Sequence, residues 1–342
     1  MLALKVSLKN AQKWKKYLLE TDILDKEYRI KKDITYIYFP LKKKLEIIRG
    51  DAEIVDMQFS KAQVSGKLKE NLAEKLSEEE LKFVKTAHDI VGDIAILEIP
   101  KDLTEKEKII AETLLSINKN IKTVLKKADV HEGIFRTQKM IFLAGEDKRE
   151  TFYKENNCIF KVDVEKVYFS VRLSNERKRI FALVKPMEEI LVMFSGAAPY
   201  PVVISKNTKA KHIVGIEINP EGHKYGVENI RLNKCKNIEL ICGDVHNVIP
   251  ILKDQGIRFD RIIMPLPKTA DEFLDDAFSV SKNNTILHFY DFLDEKNFDE
   301  AIKKIDFSCK KNNLNYKILN IIKCGQHAPH IFRVCVDFEV FN

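Results

Sequence analysis

Apolar and polar positions change rhythm twice along the chain. Over residues 1–60 the apolar segments are short. Ile34-Thr-Tyr-Ile-Tyr-Phe39 alternates as a strand ahead of Pro40, and residues 11–19 carry helical spacing, so a small α+β unit is predicted. Residues 61–85 turn polar and Lys/Glu-rich, as suits an exposed linker and a helix. Residues 88–100 alternate on both sides of Gly92-Asp93, the pattern of two strands and a tight turn. A helical period over 104–118 follows, then short strands at 121–126, 133–143 and 159–163. From about residue 165 the rhythm becomes one of continuous apolar runs separated by helical stretches. The runs are Ile190-Leu-Val-Met-Phe194, His212-Ile-Val-Gly-Ile-Glu217, Ile238-Glu-Leu-Ile-Cys242, Arg261-Ile-Ile-Met264 and Asn284-Thr-Ile-Leu-His-Phe-Tyr290. Strands buried on both faces and joined by helices make a parallel, doubly wound sheet. Residues 316–342 read as two strands around Gly325-Gln-His-Ala-Pro-His330, a hairpin closing that sheet.

Composition refines this picture. A chain of 342 residues exceeds the roughly 250–300 that one core sustains, so the three rhythms are read as domains at 1–60, 61–160 and 161–342. Hydrophobic residues at 45% and charged residues at 32% make the chain globular. No apolar run approaches the roughly 20 residues a bilayer requires, and the N-terminus lacks an apolar leader, so a soluble, cytoplasmic protein without a membrane partner is expected. Six cysteines without a CxxC pair, and scattered histidines without HExxH, predict buried thiols and no metal site. Fifty-eight Lys+Arg against fifty-one Asp+Glu leave +7, a mild surplus.

The candidate chemistry lies at the predicted strand ends. The first long strand runs into Phe194-Ser195-Gly196-Ala197-Ala198-Pro199-Tyr200, a small-residue turn that lets a ligand approach the backbone. The second ends in Glu217, placed to accept hydrogen bonds from ribose hydroxyls. The third ends at Gly243-Asp244, where a carboxylate can meet an adenine amino group. Three such loops on one sheet edge form an adenosine site. Pro199 and Pro201 crowd the helix start that a dinucleotide's pyrophosphate would need, which favours S-adenosylmethionine. The fourth strand leads into Met264-Pro265-Leu266-Pro267-Lys268, on the same edge and positioned to line a target pocket.

These residues belong to a longer ordered series: Asp89-Ile-Val-Gly-Asp-Ile-Ala-Ile-Leu97, Gly133-Ile-Phe-Arg136, Leu143-Ala-Gly-Glu146, Tyr153-Lys-Glu-Asn156, Val162-Asp-Val-Glu-Lys-Val-Tyr-Phe-Ser170, Glu176-Arg177, the Phe194 turn, Glu217-Ile-Asn219, Gly243-Asp-Val245 and Ala328-Pro-His330. With that series the chain resembles the archaeal tRNA (guanine37-N1)-methyltransferase family, nearest to the wyosine-associated subtype that also methylates C7 of an imidazopurine. The resemblance runs nearly end to end and is weakest over residues 1–85. It implies a class I S-adenosylmethionine-dependent methyltransferase, an α/β Rossmann-like sheet with a C-terminal antiparallel hairpin, preceded by two small α+β domains. It implies that Glu217 and Ile218 hold the ribose side of the donor and that Asp244 and Val245 lie at the adenine. Tyr168, Phe194, Gly196 and Tyr200 would shape the methionine side. It further implies Arg136 as the cation at guanine O6, Glu176 as the base for N1 with Arg177 beside it, and Pro265 as a wall of the base slot. Val171 stands where the family often has proline, Gln138-Lys139 replace an Arg-Glu pair, and the Pro265 loop lacks an asparagine, which leaves both position-37 reactions open.

The implied partner is tRNA, its outer corner read by residues 1–60 and its anticodon loop by the catalytic domain of a monomer. Basic runs at Lys13-Trp-Lys-Lys16, Lys42-Lys-Lys44, Lys126-Lys127, Arg177-Lys-Arg179 and Lys310-Lys311 would track phosphates. Trp14 is expected to pack rather than stack. Two other readings stay open: a catalytically weak donor- and tRNA-binding module, and a small-molecule methyltransferase.

Overall fold

The computed structural model describes residues 1–25, 28–45, 52–60, 68–73, 75–128 and 133–342; the first part of the polar stretch at 61–85, residues 61–67, lies outside them. Two compact units are present, Met1–Ser77 with Ser116–Asn118, and Glu78–Leu115 with Lys119–Asn342.

The first unit is built on strands β1 (Leu2–Ser7), β2 (Lys31–Lys32), β3 (Tyr36–Pro40) and β4 (Glu53–Asp56), antiparallel in the order β2-β3-β1-β4. Helix α1 (Ala11–Glu20) turns Leu18 into a core with Leu4, Val6 and Phe39. Trp14 packs against that core and meets Tyr17 edge-on, as expected of a packing residue. Helix α2 (Leu68–Leu72) also belongs here.

The second unit begins with α3 (Glu78–Phe83). A four-stranded sheet follows in the order β5-β6-β7-β8: β5 (Asp89–Val91), β6 (Ile94–Leu97), β7 (Thr123–Lys127) and β8 (Met140–Gly145), with α4 (Glu107–Ile117) crossing between β6 and β7. The β5–β6 turn uses Gly92 at φ +59; a Cβ there would sit 2.2 Å from Thr151 Oγ1, so only glycine fits. The strand expected over 133–143 begins only at Met140. Gly133 (φ +66) and Arg136 (φ +51) adopt left-handed backbone, which cannot continue a strand. The hairpin β9 (Glu150–Glu155) and β10 (Cys158–Asp163) turns through Asn156 and Asn157, both at positive φ.

The large sheet has the order β13-β12-β11-β14-β15-β17-β16. Its strands are β11 (Glu189–Met193), β12 (His212–Glu217), β13 (Ile238–Cys242), β14 (Phe259–Met264), β15 (Ser281–Asp294), β16 (Asn315–Ala328) and β17 (Ile331–Phe341). The first five run parallel; the last two pair antiparallel and form the closing hairpin. That is the Rossmann-like methyltransferase topology the family resemblance implies, and the hairpin turns at Pro329-His330, later than the glycine suggests. Helices α5 (Ser174–Leu183), α6 (Pro199–Asn207), α7 (Pro220–Leu232), α8 (Val245–Asp254), α9 (Leu274–Ser279) and α10 (Asp299–Lys311) accompany the sheet. Two apolar clusters form around it, one containing Leu191, Val214 and Phe289, the other Val192, Ile213 and Ile263. Strand order reverses between β11 and β14, so a crevice opens at their C-terminal ends.

Asparagines tie the β9–β10 hairpin to this domain. Asn229 exchanges two hydrogen bonds with the Lys161 backbone (2.7 and 3.1 Å), and Asn233, one turn on, does the same at Ile159 (2.9 and 2.6 Å). The amide side chains act as a substitute strand, satisfying an edge that would otherwise be exposed. Cys158, Cys309 and Cys335 are buried; Cys242 is exposed. Among the described residues no helix is long and apolar enough to cross a membrane.

Candidate active site

At the reversal point, β11 ends in a tightly wound turn. Phe194 (φ +62), Gly196 (φ +57) and Ala198 (φ +60) all take left-handed backbone, and Pro199 opens α6 at its first position. Non-glycine residues at positive φ cost free energy that the surroundings must supply. Part of it comes from Glu217, whose carboxylate accepts from the Gly196 backbone N–H at 2.5 Å and from that of Asn219 at 2.8 Å. Glu217 is 9% exposed, and burial raises its proton affinity; the two backbone donors only partly offset this. Each oxygen keeps a lone pair, and among the described residues no cation pairs with the carboxylate. Ser195 Oγ, in the same turn, is buried without a hydrogen-bond partner among the described residues. A carboxylate under-supplied with donors beside an orphaned hydroxyl fits a polyhydroxyl ligand such as a ribose. Gly215 and Gly226 make the turn possible: a Cβ on either would lie within 2.7 Å of a Leu240 methyl.

Ile218 is half-buried next to Glu217, and Asn219 caps α7 by accepting from Glu221 N. Asp244 caps α8, accepting from His246 N at 2.8 Å, with Val245 buried behind it. The sequence gives no sign of the aromatic group beside this loop. His246 stacks on Phe273 (4.2 Å, 13°), Phe273 meets Phe194 edge-on at 4.8 Å, and Asp276 binds His246 Nδ1 at 2.7 Å. Phe273 therefore links the adenine-side loop to the Phe194 turn.

On the target side, the structure joins two predicted residues far apart in sequence. Arg136 donates through Nη1 to the Pro267 carbonyl at 2.9 Å, so it is fixed to the loop that carries Pro265. Burial lowers its proton affinity, and Arg333 acts in the same direction while Tyr168 opposes it. Tyr168 accepts from Arg333 Nη2 at 3.0 Å, and the Tyr168 carbonyl lies 3.6 Å from a Cβ built on Gly196. Tyr168 thus borders both the turn and the arginine pair. Arg333 carries no sequence signal beyond being one arginine in the closing hairpin.

Glu176, Arg177 and Tyr200 lie deeper. Glu176 is 5% exposed, and its carboxylate accepts from Arg179 Nε (2.8 Å) and Nη2 (2.7 Å) and from the Tyr290 hydroxyl (2.5 Å). Burial alone would raise its proton affinity, but Arg179, Tyr290 and the Cys324 thiol bring the net shift below the ordinary value. Tyr200 is turned inward and donates to Tyr290 at 3.2 Å. Arg179 also grips Asp337 (2.6 and 3.1 Å), Asp337 accepts from His288 Nδ1 (2.6 Å), His288 meets Arg261 (2.7 Å), and Arg261 pairs with Glu188 (2.7 and 2.9 Å). This buried relay joins α5 to β14, β15 and β17. Ligand atoms of His288, Cys335 and Asp337 lie within 4.8 Å of one another. Both imidazole nitrogens are engaged, however, and the neighbouring guanidinium groups of Arg261 and Arg179 oppose a cation. Arg177 is 1% exposed and holds Glu155 through two hydrogen bonds (2.5 and 2.6 Å), anchoring α5 to the β9 strand.

One expectation is corrected here. Arg177-Lys-Arg179 is not a phosphate-tracking run, because both arginines are spent on buried carboxylates. Lys310 and Lys311 also meet carboxylates, Asp306 and Asp275, but both lysines stay exposed.

Comparison with known proteins places this geometry. The TRM5/TYW2 methyltransferase domain model matches residues 151–319, the TYW2 N-terminal domain model residues 68–148, and the tRNA methyltransferase 5 N-terminal domain model residues 3–48. The chain is 35% identical to the tRNA (guanine(37)-N(1))-methyltransferase Trm5b of Pyrococcus abyssi, over 99% of each. The crystal structure of that protein superposes with a TM-score of 0.74 at 33% identity, covering all of both chains. The chain is 37% identical, over 72% of its own length and 98% of the relative's, to the tRNA (guanine(37)-N(1))/4-demethylwyosine(37)-methyltransferase Taw22 of Nanoarchaeum equitans. A solved complex of aTrm5 with tRNALeu matches over all of both chains at 31% identity and a TM-score of 0.72.

Proposed function

The chain belongs to the TRM5/TYW2 methyltransferase family, and from that premise we propose that it methylates N1 of guanine 37 in tRNA with the residues described above. It is an S-adenosylmethionine-dependent enzyme that modifies tRNA at position 37. The observation that carries the assignment of roles is the Arg136–Pro267 hydrogen bond, which brings a half-buried cation to the loop beside the donor edge.

Glu217 and the Gly196 turn hold the ribose and methionine side of the donor, and Asp244, Val245 and Phe273 border its adenine. When bound, S-adenosylmethionine supplies an electrophilic methyl group on a sulfonium sulfur. Guanine N1 is protonated in the neutral base and a poor nucleophile, so its proton must leave as the methyl group arrives. Glu176 is kept ionised by Arg179 and Tyr290, ready to accept that proton. The same bonds make it a weaker base than a free carboxylate. Arg136 compensates by stabilising the charge that spreads to guanine O6, where a guanidinium in a water-poor pocket is worth most. Pro265 and Pro267 stiffen the slot, and the extruded base enters it from the anticodon loop. Residues 1–60 form the module that reads the tRNA outer corner, and their deletion raises KM for full-length tRNA without changing donor affinity.

A second reading, methylation of imidazopurine C7, is favoured by one feature. The Met264–Lys268 loop offers no side-chain amide to orient a guanine N1–H. The test is parallel incubation with tRNA transcripts bearing G37, A37 or the tricyclic intermediate, followed by nucleoside mass analysis. Methylation of G37 with none of A37 supports the main reading; product from the tricyclic tRNA alone replaces it with the second.

A further inference from the structure

Beside the sheet of β5–β8 lies an open cleft of about 460 Å³. Its walls come from residues 84–89, β6, β7, the single turn Val171–Leu173 and β16. Three permanent cations line it against two carboxylates. Arg172 holds Asp89 with two hydrogen bonds (2.7 and 3.1 Å), while Lys85 (3.3 Å) and Lys127 (3.2 Å) share Glu98. One positive charge is therefore left over for a ligand. At one wall stands His327, exposed, its ring stacked on Phe292 with centroids 3.9 Å apart. The Arg333 guanidinium lies 5.1 Å from the centre of the same Phe292 ring and donates to Tyr168. Its Nε is buried with no hydrogen-bond partner among the described residues. Arg333 and Tyr168 are near enough to Arg136 to act on its charge. Cations and aromatic rings thus alternate from Arg136 through Tyr168 and Arg333 to Phe292, on which His327 stacks at the cleft wall.

We propose that this is a track for single-stranded RNA, with the cleft holding a nucleotide next to the one that is methylated. The proposal rests on the tRNA reading above and adds to it a second nucleotide site. A duplex hides its base faces, and a folded protein partner has no need of alternating rings and cations. Unstacked nucleotides offer both a π face and a phosphate, which this alternation matches. Extruding the target base removes a stacking partner from each neighbour, and a protein ring can replace it.

The test uses the full-length enzyme with S-adenosylmethionine and G37 tRNA transcripts that are intact or abasic at position 36 or 38. An abasic nucleotide at one of those positions is expected to raise KM about tenfold, and His327→Ala to raise KM for intact tRNA by about as much. The two changes combined cost no more than either alone, since both remove one contact. Lys127→Glu raises KM about tenfold and flattens the dependence of log KM on log salt by about one. Glu98→Gln frees two lysines and moves KM the opposite way, a gain that misfolding cannot imitate. The proposal is overturned if the abasic and His327 effects multiply, or if neither Lys127→Glu nor Glu98→Gln moves KM. Should the wild type methylate no tRNA, the functional reading fails separately. The track is then judged by 2-aminopurine fluorescence at positions 36 and 38, where quenching that His327→Ala leaves unchanged overturns it.

Discussion

Two glutamates are buried to a similar degree in one domain, and their surroundings treat them in opposite ways. Glu217, at the end of β12, has two backbone N–H donors and, among the described residues, no cation, and its proton affinity is raised by burial. Glu176, on α5, is buried too, but Arg179 and Tyr290 turn the net shift downward. The difference separates a carboxylate left short of donors, which suits a ligand's hydroxyls, from one that the protein supplies with donors and holds ionised until a proton is delivered. Stability should follow the second, and donor affinity the first.

The comparison breaks most sharply at Arg179. Arg179→Ala leaves Glu176 and Asp337 buried without their cation and is expected to cost about 3–5 kcal/mol in denaturant unfolding, with Arg179→Lys recovering part. Glu217→Ala removes two backbone hydrogen bonds but, among the described residues, no ion pair, and should cost about 1–2 kcal/mol, clearly less than Arg179→Ala. A comparable loss in both variants would erase the distinction. Next in size, Arg136→Ala should lower turnover by about 10²–10³ while donor affinity, read by calorimetry, stays unchanged. An equal loss of both would remove Arg136 from the reacting base. Glu217→Ala should weaken donor binding by about ten- to a hundredfold, because charge-assisted bonds to the ribose are lost.

The smallest effect is the dependence on pH, and it has opposite signs at the two sites. Glu176 takes a proton in the folded protein only below the ordinary glutamate value of 4.5, so its contribution is complete above 4.5 and is lost as pH falls through the lower folded value. Glu217 is protonated in the folded protein already above 4.5, so ionising it weakens folding as pH rises through that raised value. Donor affinity should therefore fall on acidification before pH 4.5 is reached. Glu217→Gln should remove that dependence, and a titration in which it persists would assign the effect elsewhere.

Much of the proposed donor edge is legible in the sequence because its requirements are local. A continuous apolar run ending in small residues, then one ending in Glu217, then one ending in Gly243-Asp244, describes strand ends whose order along the chain is their order in the sheet from β11 to β13. The closing hairpin is legible for the same reason. The target side is not. Arg136 and Pro267 are 131 residues apart, and Arg179 and Asp337 are 158. In Glu-Arg-Lys-Arg the same letters describe a solvated helix start, a phosphate-binding run or a buried relay. Only the partners across the sheet show that Arg177 and Arg179 are spent on carboxylates.

The sequence by itself determined the periodicities, and with them most of the strands, the parallel sheet, its closing hairpin and the acids at the strand ends, since each depends on neighbours in the chain. The tertiary structure alone decided which charged groups are satisfied. It supplied Glu176 with donors and left Glu217 short of them, fixed Arg136 to the Pro267 carbonyl, and set Phe292 between Arg333 and His327. The energy of a buried charge depends on what lies within a few ångströms in space, and that neighbourhood is not written in the chain order.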